Sequence, residues 1–402
     1  MPGQLLLSVE LEHILAQKLS SSFELALSHD DYLTVTGGVQ AVIASEQHKT
    51  NQNGRSYLHL YPYNKLPTLA DDDPLLYLGL NLDGERLGET ESSELISALI
   101  GLEDKQIIKL SIHHSMGFNQ QTIQRLLNLT GNQGVFWLHD YFSLCPSYNL
   151  LRNDFAYCGA PDISSNSCQL CHYLENRKMQ QPIFEKLFAD NQLEVISPSQ
   201  FTYELWQSRF PIHVPARVVP PVQLHWKQPG RKGYTSGEIR VGFLGYPLHY
   251  KGWETWLKLT NHAVDKKRFR FYHFSSNKGT KVSGNYQHIE TQVTEKKRFA
   301  MVENLRVNNI DVALLWSTAA ETFSLTLHEA LAAGCYILTN PNSGNIQDYI
   351  HRNPECGLVL DNEAQLLALF ESGDILEKVR IYQMRGKPQA DLVFGDFEEV
   401  DR

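Results

Sequence analysis

The segment 311–340 (DVALLWSTAAETFSLTLHEALAAGCYILTN) constrains the fold more than any other part of the sequence. Its two apolar runs, VALLW and CYILTN, have the length and composition of parallel strands that are buried on both faces. Between them a polar loop leads into the helix-forming run LTLHEALAA, which ends at Gly334, a residue suited to a helix C-cap. Strand, loop, helix and strand form one crossover unit of a doubly wound α/β sheet, in which ligands bind beyond the carboxyl ends of the strands.

Two carboxylates frame this crossover: Glu321 lies in the loop and Glu329 in the helix, with seven residues between them. The amides of Phe323, Ser324 and Leu325 lie where the helix begins, and free N–H groups at a helix N-terminus form an anion site. A pyrophosphate would fit there, with Glu321 accepting from hydroxyl groups on one side and Glu329 on the other. The alternative is that Glu321 is an ordinary charged residue of a loop and Glu329 a solvent-exposed charged residue of a helix.

The string ETFSLTLHEALAAG resembles the E-x7-E signature of retaining GT-B glycosyltransferases, above all those of family 4. The resemblance implies that Glu321 meets the donor sugar, Glu329 the ribose of the nucleotide, and the amides at 323–325 the phosphates. It implies a UDP- or GDP-linked sugar as donor substrate and no catalytic metal. The expected fold is therefore α/β of the GT-B type, with two facing doubly wound Rossmann-like domains.

Length, charge and composition limit the classes of protein to which this chain can belong. A chain of 402 residues is long enough for two domains. Its net charge of −9 argues against a nucleic-acid partner, which requires a basic face. No apolar run could span a bilayer and no signal-peptide pattern opens the chain, so we expect a cytoplasmic, reducing environment. Basic clusters at 266–270 and 296–298 are either solvated faces or peripheral contacts to an anionic membrane surface.

The order of predicted elements divides the chain into five segments. They are a helical N-terminal extension, a Rossmann-like acceptor domain with a Cys-rich insertion, a polar linker, a Rossmann-like nucleotide-sugar domain and a tail. The extension suggests a chain that packs against a partner or was cut from something larger. Their limits are 1–22, 23–222 with the insertion at 141–175, 223–237, 238–385 and 386–402.

A Gly-Gly pair, Gly37 and Gly38, follows the first predicted strand. Such a pair ahead of a helix marks a close approach of the backbone to a neighbour, or simply a tight turn. In the family that the sequence resembles, this loop lies against the donor phosphates and the acceptor, which implies donor binding by Gly37 and Gly38. Further along, we expect the segment 63–91 to be a loop with one short strand at 75–80.

Histidines follow two neighbouring predicted strands, as His113-His114 and as His139-Asp140. Because parallel strands end at one edge of a sheet, we expect these side chains in the cleft between the domains. A histidine there can donate or accept a hydrogen bond or carry a proton near neutral pH. Each could also cap a strand or complete the core. The resemblance implies that His113 contacts the donor sugar and is catalytic, with His114 as the alternative.

Four cysteines cluster in the loop-rich insertion: Cys145, Cys158, Cys168 and Cys171. Four thiolates at loop spacing suit a structural tetrahedral Zn²⁺. The pattern HDY-x3-C-P followed by C-x2-C resembles an insertion in a bacterial subset of the same family. The spacing is less regular than in a zinc ribbon, so free thiols, an iron–sulfur cluster or disulfides are alternatives.

Lys251-Gly252 follows the first predicted strand of the second domain. It matches the K-G from which a family lysine reaches the donor diphosphate, where an ammonium group acts as a point charge on phosphate. A solvated loop lysine is the alternative. The family usually carries an arginine just after this strand, and Tyr246 stands there instead.

The resemblance implies a retaining glycosyltransferase of the hexosyltransferase type, which moves a sugar from a nucleotide-sugar donor to an acceptor hydroxyl. The acceptor would be a glycan, or a lipid-linked or protein-linked group. One alternative is a degenerate GT-B module that binds a nucleotide sugar, a glycan or a protein without transfer. Another is a sugar-nucleotide epimerase, which would need further carboxylates near the sugar.

Overall fold

The computed structural model describes most of the chain, namely residues 5–35, 37–63, 69, 76–227, 237–262, 267–277, 284–294, 297–384 and 388–395. Parts of the predicted linker and tail (228–236 and 396–402) and one residue of each basic cluster (Lys266 and Lys296) lie outside the described residues. Within the described ranges, no helix combines the length and the apolar character needed to cross a bilayer.

The protein divides into two compact units. The first contains the chain through Asn153 together with Cys158–Val219, and the second contains Asp154–Tyr157 together with the chain from Pro220 onward. Each unit is built around its own, mainly parallel sheet. Both therefore have the α/β architecture that the crossover segment predicts.

The first half of the chain supplies ten strands and seven helices among its described residues. The strands are β1 Ser22–Leu27, β2 Ser56–Pro62, β3 Tyr77–Leu82, β4 Glu85–Glu91, β5 Gln106–Ile112, β6 Gln133–Trp137, β7 Leu151–Arg152, β8 Ala156–Tyr157, β9 Gln192–Ser197 and β10 Ala216–Val218. The helices are α1 Ser8–Lys18, α2 Gly38–Gln52, α3 Ser92–Gly101, α4 Gln120–Asn128, α5 Asn166–Gln169, α6 Leu174–Asp190 and α7 Gln200–Gln207.

The sheet of the first unit has the strand order β10-β9-β6-β5-β1-β2-β3-β4. Strand β1 pairs in parallel with β2 on one side and with β5 on the other. The order therefore reverses between β1 and β5, and the loops after these two strands border the crevice in which doubly wound folds bind ligands. This is the edge at which the predicted histidines lie.

The far edge of this sheet is an antiparallel hairpin of β3 and β4. Asp83 and Gly84 connect the strands and have φ values of 51° and 86°, as the two central residues of a type I′ turn require. The prediction of a loop with a single strand is therefore wrong for 77–91, while 64–68 and 70–75 of the predicted loop lie outside the described residues. The Asp-Gly dipeptide was the sequence signal for the hairpin.

Helix α1 lies within the predicted N-terminal extension and packs on α3 of the same unit. Leu11 and Leu15 of α1 are fully buried, and the amide of Ser8 donates to Glu94 Oε2 over 2.6 Å. The apolar face of this helix is thus covered inside the first unit. The external packing partner predicted for this extension stays a prediction.

The second half of the chain contains eight strands and six α-helices among its described residues. The strands are β11 Val222–Trp226, β12 Ile239–Leu244, β13 Phe269–Ser275, β14 Gln287–Glu290, β15 Val312–Leu314, β16 Tyr336–Thr339, β17 Gly357–Val359 and β18 Ala390–Phe394. The helices are α8 Trp253–Asn261, α9 Ala300–Val307, α10 Leu325–Ala332, α11 Asn345–Arg352, α12 Glu363–Ser372 and α13 Asp374–Met384.

The main sheet of the second unit has the order β14-β13-β12-β15-β16-β17, with parallel pairing throughout. The order reverses between β12 and β15, so the loops after these strands border the ligand crevice of this unit. The crossover β15–α10–β16 is the one that the segment 311–340 predicts.

A separate antiparallel pair is formed by β11 and β18. The linker predicted over 223–237 therefore begins as a strand, and residues 390–394 of the predicted tail form its partner. Alternating apolar side chains explain this outcome, because Val222, Ala390 and Leu392 are buried in the core of the second unit. The short runs VQLHW and ADLVF carry this alternation in sequences that are otherwise polar.

Candidate functional site

Lys251 and Glu321 meet at the switch point of the second unit. Lys251 lies in the loop after β12 and Glu321 in the loop after β15, and Lys251 Nζ donates to Glu321 Oε1 over 2.6 Å. Ser317 Oγ lies 2.9 Å from the same carboxylate oxygen. Burial alone would lower the pKa of Lys251, but the charge of Glu321 raises it. The structure therefore joins the two predicted donor residues as an ion pair and adds Ser317, which no motif identified.

The backbones of these two loops are held together by close contacts. The amide of Thr318 donates to the carbonyl of Tyr250 over 2.8 Å. Gly252 has a φ of 85°, and a Cβ atom there would lie 2.3 Å from the carbonyl oxygen of Trp316. Only glycine tolerates both the left-handed backbone and this approach. The glycine of the Lys251-Gly252 motif thus positions the lysine.

The beginning of α11 supports the loop that carries Glu321. The amide of Asn345 donates to the Glu321 carbonyl over 2.8 Å, and Asn345 Nδ2 donates to the Phe323 carbonyl over 2.9 Å. Gly344 has a φ of 65°, and a Cβ atom there would lie 2.5 Å from the Glu321 amide nitrogen. The role of both residues depends on a contact between loops that are separate in the sequence.

Substitution of Gly344 with alanine is expected to destabilise the protein by about 2–3 kcal/mol, because a strained backbone combines with a clash against the Glu321 backbone. Gly54 is the matched control, since its φ is 72° and a Cβ atom there would have no neighbour within 4 Å. Gly54→Ala should therefore cost only about 1–2 kcal/mol. Denaturant unfolding measures the free energy of unfolding of both variants. Equal losses of stability in Gly344→Ala and Gly54→Ala would contradict the clash.

The N-terminus of α10 has an unusual backbone. Ser324, its N-cap, has φ 58° and ψ 88°, and its Oγ accepts from the amide of Leu327 over 3.3 Å. Within the described residues, the amides of Phe323, Ser324 and Leu325 donate no hydrogen bond. Non-glycine residues in this region of φ/ψ space concentrate at functional sites. The three amides predicted to bind phosphate are therefore available to an anion.

Glu329 lies in α10 with its side chain almost completely buried. Its carboxyl group makes no hydrogen bond or ion pair with the described residues, and burial raises its pKa to about 8. The neighbouring His328 donates to the carbonyl of Ser324 over 3.0 Å and stacks on Phe323 with ring centroids 4.2 Å apart. A buried acidic group without a protein partner is a candidate acceptor for the hydroxyl groups of a ligand. His328, which steadies this turn, was not predicted.

In the first unit, His113 is held between Glu46 and His139. His113 Nε2 lies 2.8 Å from Glu46 Oε2, and its Nδ1 lies 3.0 Å from His139 Nε2. The rings of His113 and Trp137 are stacked at 5.5 Å. His113 is 1 % exposed, whereas His139 is only partly buried. Sequence analysis found the two histidines but not Glu46, which lies 67 positions before His113.

His114 pairs with Asp140 at the same sheet edge. Its Nδ1 accepts from the amide of Met116 over 3.0 Å, so Nε2 carries the proton that it donates to Asp140 Oδ2 over 2.7 Å. Burial alone would raise the pKa of Asp140, but the hydrogen bonds that it accepts from His114 and from the amide of Phe142 lower it. His29, from the loop after β1, lies with its ring 4.3 Å from that of His114. The predicted residues are therefore together, as the separate pairs His113–His139 and His114–Asp140.

The remaining predicted donor residues lie at the expected loops. Gly37 is the N-cap of α2, and a Cβ atom there would meet the side chain of Gln40. Gly38 is the first residue of the same helix. Tyr246 follows β12 and is 47 % exposed.

The four clustered cysteines line one small cavity of about 10 Å³, roughly the space of one water molecule. Within the described residues, no three His, Cys, Asp or Glu side chains are arranged to hold a metal ion. The Cys158 thiol donates to the Leu150 carbonyl over 3.2 Å, and burial raises the pKa of Cys145 to about 12. Arg177 donates to Cys168 Sγ over 3.3 Å.

The donor role of Cys158 is that of a thiol, whereas Cys168 accepts from the Arg177 guanidinium as a thiolate would. Because the described side chains form no metal-binding group, this structure does not support the predicted zinc site. The described cysteines also form no disulfide. Of the interpretations left open by the sequence, free thiols agree with the structure.

The fold is that of known glycosyltransferases. Sucrose-phosphate synthase from Thermosynechococcus elongatus superposes with a TM-score of 0.57 at 14% identity, over 91% of this chain and 93% of that one. HepE from Anabaena, solved with UDP-glucose, gives 0.52 at 11% identity over 91% and 93%. WaaG, a glycosyltransferase of lipopolysaccharide biosynthesis, gives 0.52 at 11% identity over 91% and 94%.

No protein-family model and no curated protein sequence matches this chain. The similarity is thus one of structure, and it confirms the predicted GT-B fold class. At these identities the fold does not by itself define the reaction.

Proposed function

We propose that this protein is a retaining glycosyltransferase of the family 4 type that uses a nucleotide sugar as its donor. The observation that carries the proposal is the second-unit switch point, where Lys251, Glu321 and the free amides at 323–325 lie together. A cation and unpaired amides at a helix N-terminus suit a diphosphate. The binding of UDP-glucose by the structurally similar HepE supports a UDP-linked sugar.

Each group then has a role. Lys251 and the amides bind the diphosphate, Glu329 binds the ribose hydroxyls, and Glu321 contacts the transferred sugar. His113 is the proposed catalytic residue of the first unit. The bond between the anomeric carbon and the diphosphate oxygen breaks while the acceptor oxygen bonds to the same face of that carbon. The acceptor proton passes to the departing phosphate oxygen. Preorganised positive groups stabilise the charge that develops on the diphosphate.

A screen of nucleotide sugars for thermal stabilisation tests the donor, because a ligand that binds only the folded protein raises Tm. UDP- and GDP-linked sugars are compared with the corresponding free sugar phosphates, and the stabilising donor is then offered glycan and lipid-linked acceptors. Transfer with retained anomeric configuration is the expected result. Binding without transfer or hydrolysis would favour the binding module, which the replacement of the family arginine by Tyr246 also favours. Conversion of the donor to its epimer would favour the epimerase.

Lys251→Ala is expected to weaken binding of the nucleoside diphosphate by about 10- to 100-fold, since loss of a charged hydrogen bond costs about 1–3 kcal/mol. The matched control is Lys258→Ala, which removes a lysine that is also ion-paired, with Glu363, but lies on α8 away from the loop. Titration calorimetry measures both. Equal affinities of the Lys251 and Lys258 variants would exclude Lys251 from the diphosphate site.

A further inference from the structure

Asn345, the first residue of α11, makes two hydrogen bonds to the loop that leads into α10. Its backbone amide donates to the Glu321 carbonyl over 2.8 Å, and its side-chain Nδ2 donates to the Phe323 carbonyl over 2.9 Å. Asn345 is only 3 % exposed, so the bond to Phe323 forms away from water. These two bonds fix the orientation of the peptide groups that follow Glu321 and Phe323.

The direction of the Phe323 carbonyl determines the direction of the next amide. No peptide bond among the described residues is cis, and in a planar trans peptide the C=O and N–H groups point in opposite directions. Because the Phe323 carbonyl points to Asn345, the Ser324 N–H must point away from the start of α11. Within the described part of the chain, this amide donates no hydrogen bond. Asn345 therefore turns an unsatisfied amide outwards.

The backbone of Ser324 joins this amide to the one that follows. Ser324 has φ 58° and ψ 88°, in the left-handed region, and Leu325 is the first residue of the right-handed helix α10. Such a pair of residues brings successive N–H groups into the concave arrangement that binds anions. A non-glycine residue keeps this conformation only where its surroundings hold it. Asn345 supplies that restraint on one side of Ser324 and α10 supplies it on the other.

We propose that Asn345 is a positioning residue of the donor site, whose side-chain amide holds the Phe323 carbonyl and thereby directs the Ser324 N–H towards the diphosphate. It acts through the backbone of Phe323 rather than by contact with the ligand. A second observation also points to a ligand here, because Glu329 in the same helix is a buried carboxyl group without a partner among the described residues. The identity of the anion rests on the proposed function, whereas the direction of the amide does not.

Asn345→Leu tests this role because leucine has a similar size but no side-chain donor. The backbone amide at this position remains, so the bond to the Glu321 carbonyl is kept and only the bond to Phe323 is lost. The peptide group between Phe323 and Ser324 can then rotate, and the Ser324 N–H loses its fixed direction. Inorganic pyrophosphate and UDP should bind about 10- to 100-fold more weakly, the scale of one lost hydrogen bond to a charged group.

Asn353→Leu is the matched control. Asn353 follows the other end of α11, and its Nδ2 also donates to a backbone carbonyl, that of Tyr349, over 2.9 Å. The substitution removes the same kind of bond from the same helix but leaves the Phe323 carbonyl bonded. If Asn345 only stabilised the fold, both variants would lower Tm and neither folded variant would lose affinity for pyrophosphate.

The direct readout is amide NMR of the full chain with ¹⁵N-labelled serine. The Ser324 resonance is identified by its absence in Ser324→Thr, which keeps the capping hydroxyl. Saturating pyrophosphate should shift this resonance in the wild type and in Asn353→Leu, because the N–H then donates to the anion. In Asn345→Leu, at the same saturation, the shift should be lost.

A Ser324 shift and a calorimetric pyrophosphate affinity that both equal the wild-type values in folded Asn345→Leu would overturn the proposal. If that variant does not fold, Asn345→Asp provides the same test. Its carboxylate also lacks a donor for the Phe323 carbonyl, and an acidic residue at the start of a helix is favourable.

Sugar transfer is measured separately. A wild type that binds UDP but transfers no sugar would contradict the proposed function, while the Ser324 resonance and the affinities still decide the role of Asn345. Transfer by the wild type combined with unchanged UDP affinity in Asn345→Leu would overturn the positioning role alone. A wild type that binds neither pyrophosphate nor any nucleoside diphosphate would overturn both.

Discussion

Glu321→Gln is expected to lower the turnover of sugar transfer by about 100-fold or more while the bare nucleoside diphosphate binds more tightly. Turnover falls while diphosphate affinity rises because Glu321 has two different interactions. It is proposed to contact the sugar, which the bare diphosphate does not present, and it neutralises Lys251 in the ligand-free protein. Glutamine keeps the shape of the side chain but releases the lysine charge for the phosphates. Product formation is followed by mass-resolved assay, and diphosphate affinity by calorimetry.

Ser317→Ala is the matched control for this prediction. It removes the contact of 2.9 Å between Ser317 Oγ and Glu321 Oε1 but leaves the negative charge opposite Lys251. Its diphosphate affinity should therefore stay at the wild-type value. Weaker diphosphate binding by Glu321→Gln than by Ser317→Ala would show that Lys251 is not restrained by the ion pair. Unchanged transfer in Glu321→Gln would remove Glu321 from the reaction.

Local patterns explain which parts of the fold the sequence could predict. The crossover from β15 to β16 was predictable because two apolar runs, a capped helix and their lengths all lie within thirty consecutive positions, residues 311–340. Lys251 and Glu321 were recognisable because each lies in such a local motif. Their mutual ion pair was not, since it joins loops that are 70 positions apart.

The parts that escaped prediction depend on contacts distant in the chain. Glu46 looks like an ordinary helical glutamate until the fold brings it to His113, and Gly344 looks like a turn glycine until Glu321 lies against it. The cysteines show the opposite case. Their spacing predicts zinc, but the described side chains are not arranged to hold a metal ion, and spacing alone cannot reveal that arrangement.

Glu329→Gln is expected to stabilise the protein above neutral pH, by on the order of 3–5 kcal/mol at pH 8, with no gain at pH 4. Burial raises the pKa of Glu329 from 4.5 to about 8. Between these two values the unfolded chain releases its proton while the folded protein retains it. The folded state then binds more protons than the unfolded state, so stability falls as pH rises through this window. Glutamine never ionises and avoids this loss.

Urea unfolding of both proteins from pH 4 to pH 9 measures the difference, with Glu303→Gln, an exposed carboxylate on α9, as the control. The Glu329→Gln curve should separate from the wild type above pH 4.5 and become parallel to it near pH 8, whereas Glu303→Gln should follow the wild type.

Glu329→Gln should also weaken nucleotide binding, because ribose hydroxyls would donate to the ionised Glu329 and release its proton. Wild-type affinity should therefore rise with pH up to about 8, the pKa of the free group. If Glu329→Gln gains the same stability at all pH values, burial does not hold Glu329 neutral. That result would also contradict the proposal that Glu329 accepts hydrogen bonds from the ribose.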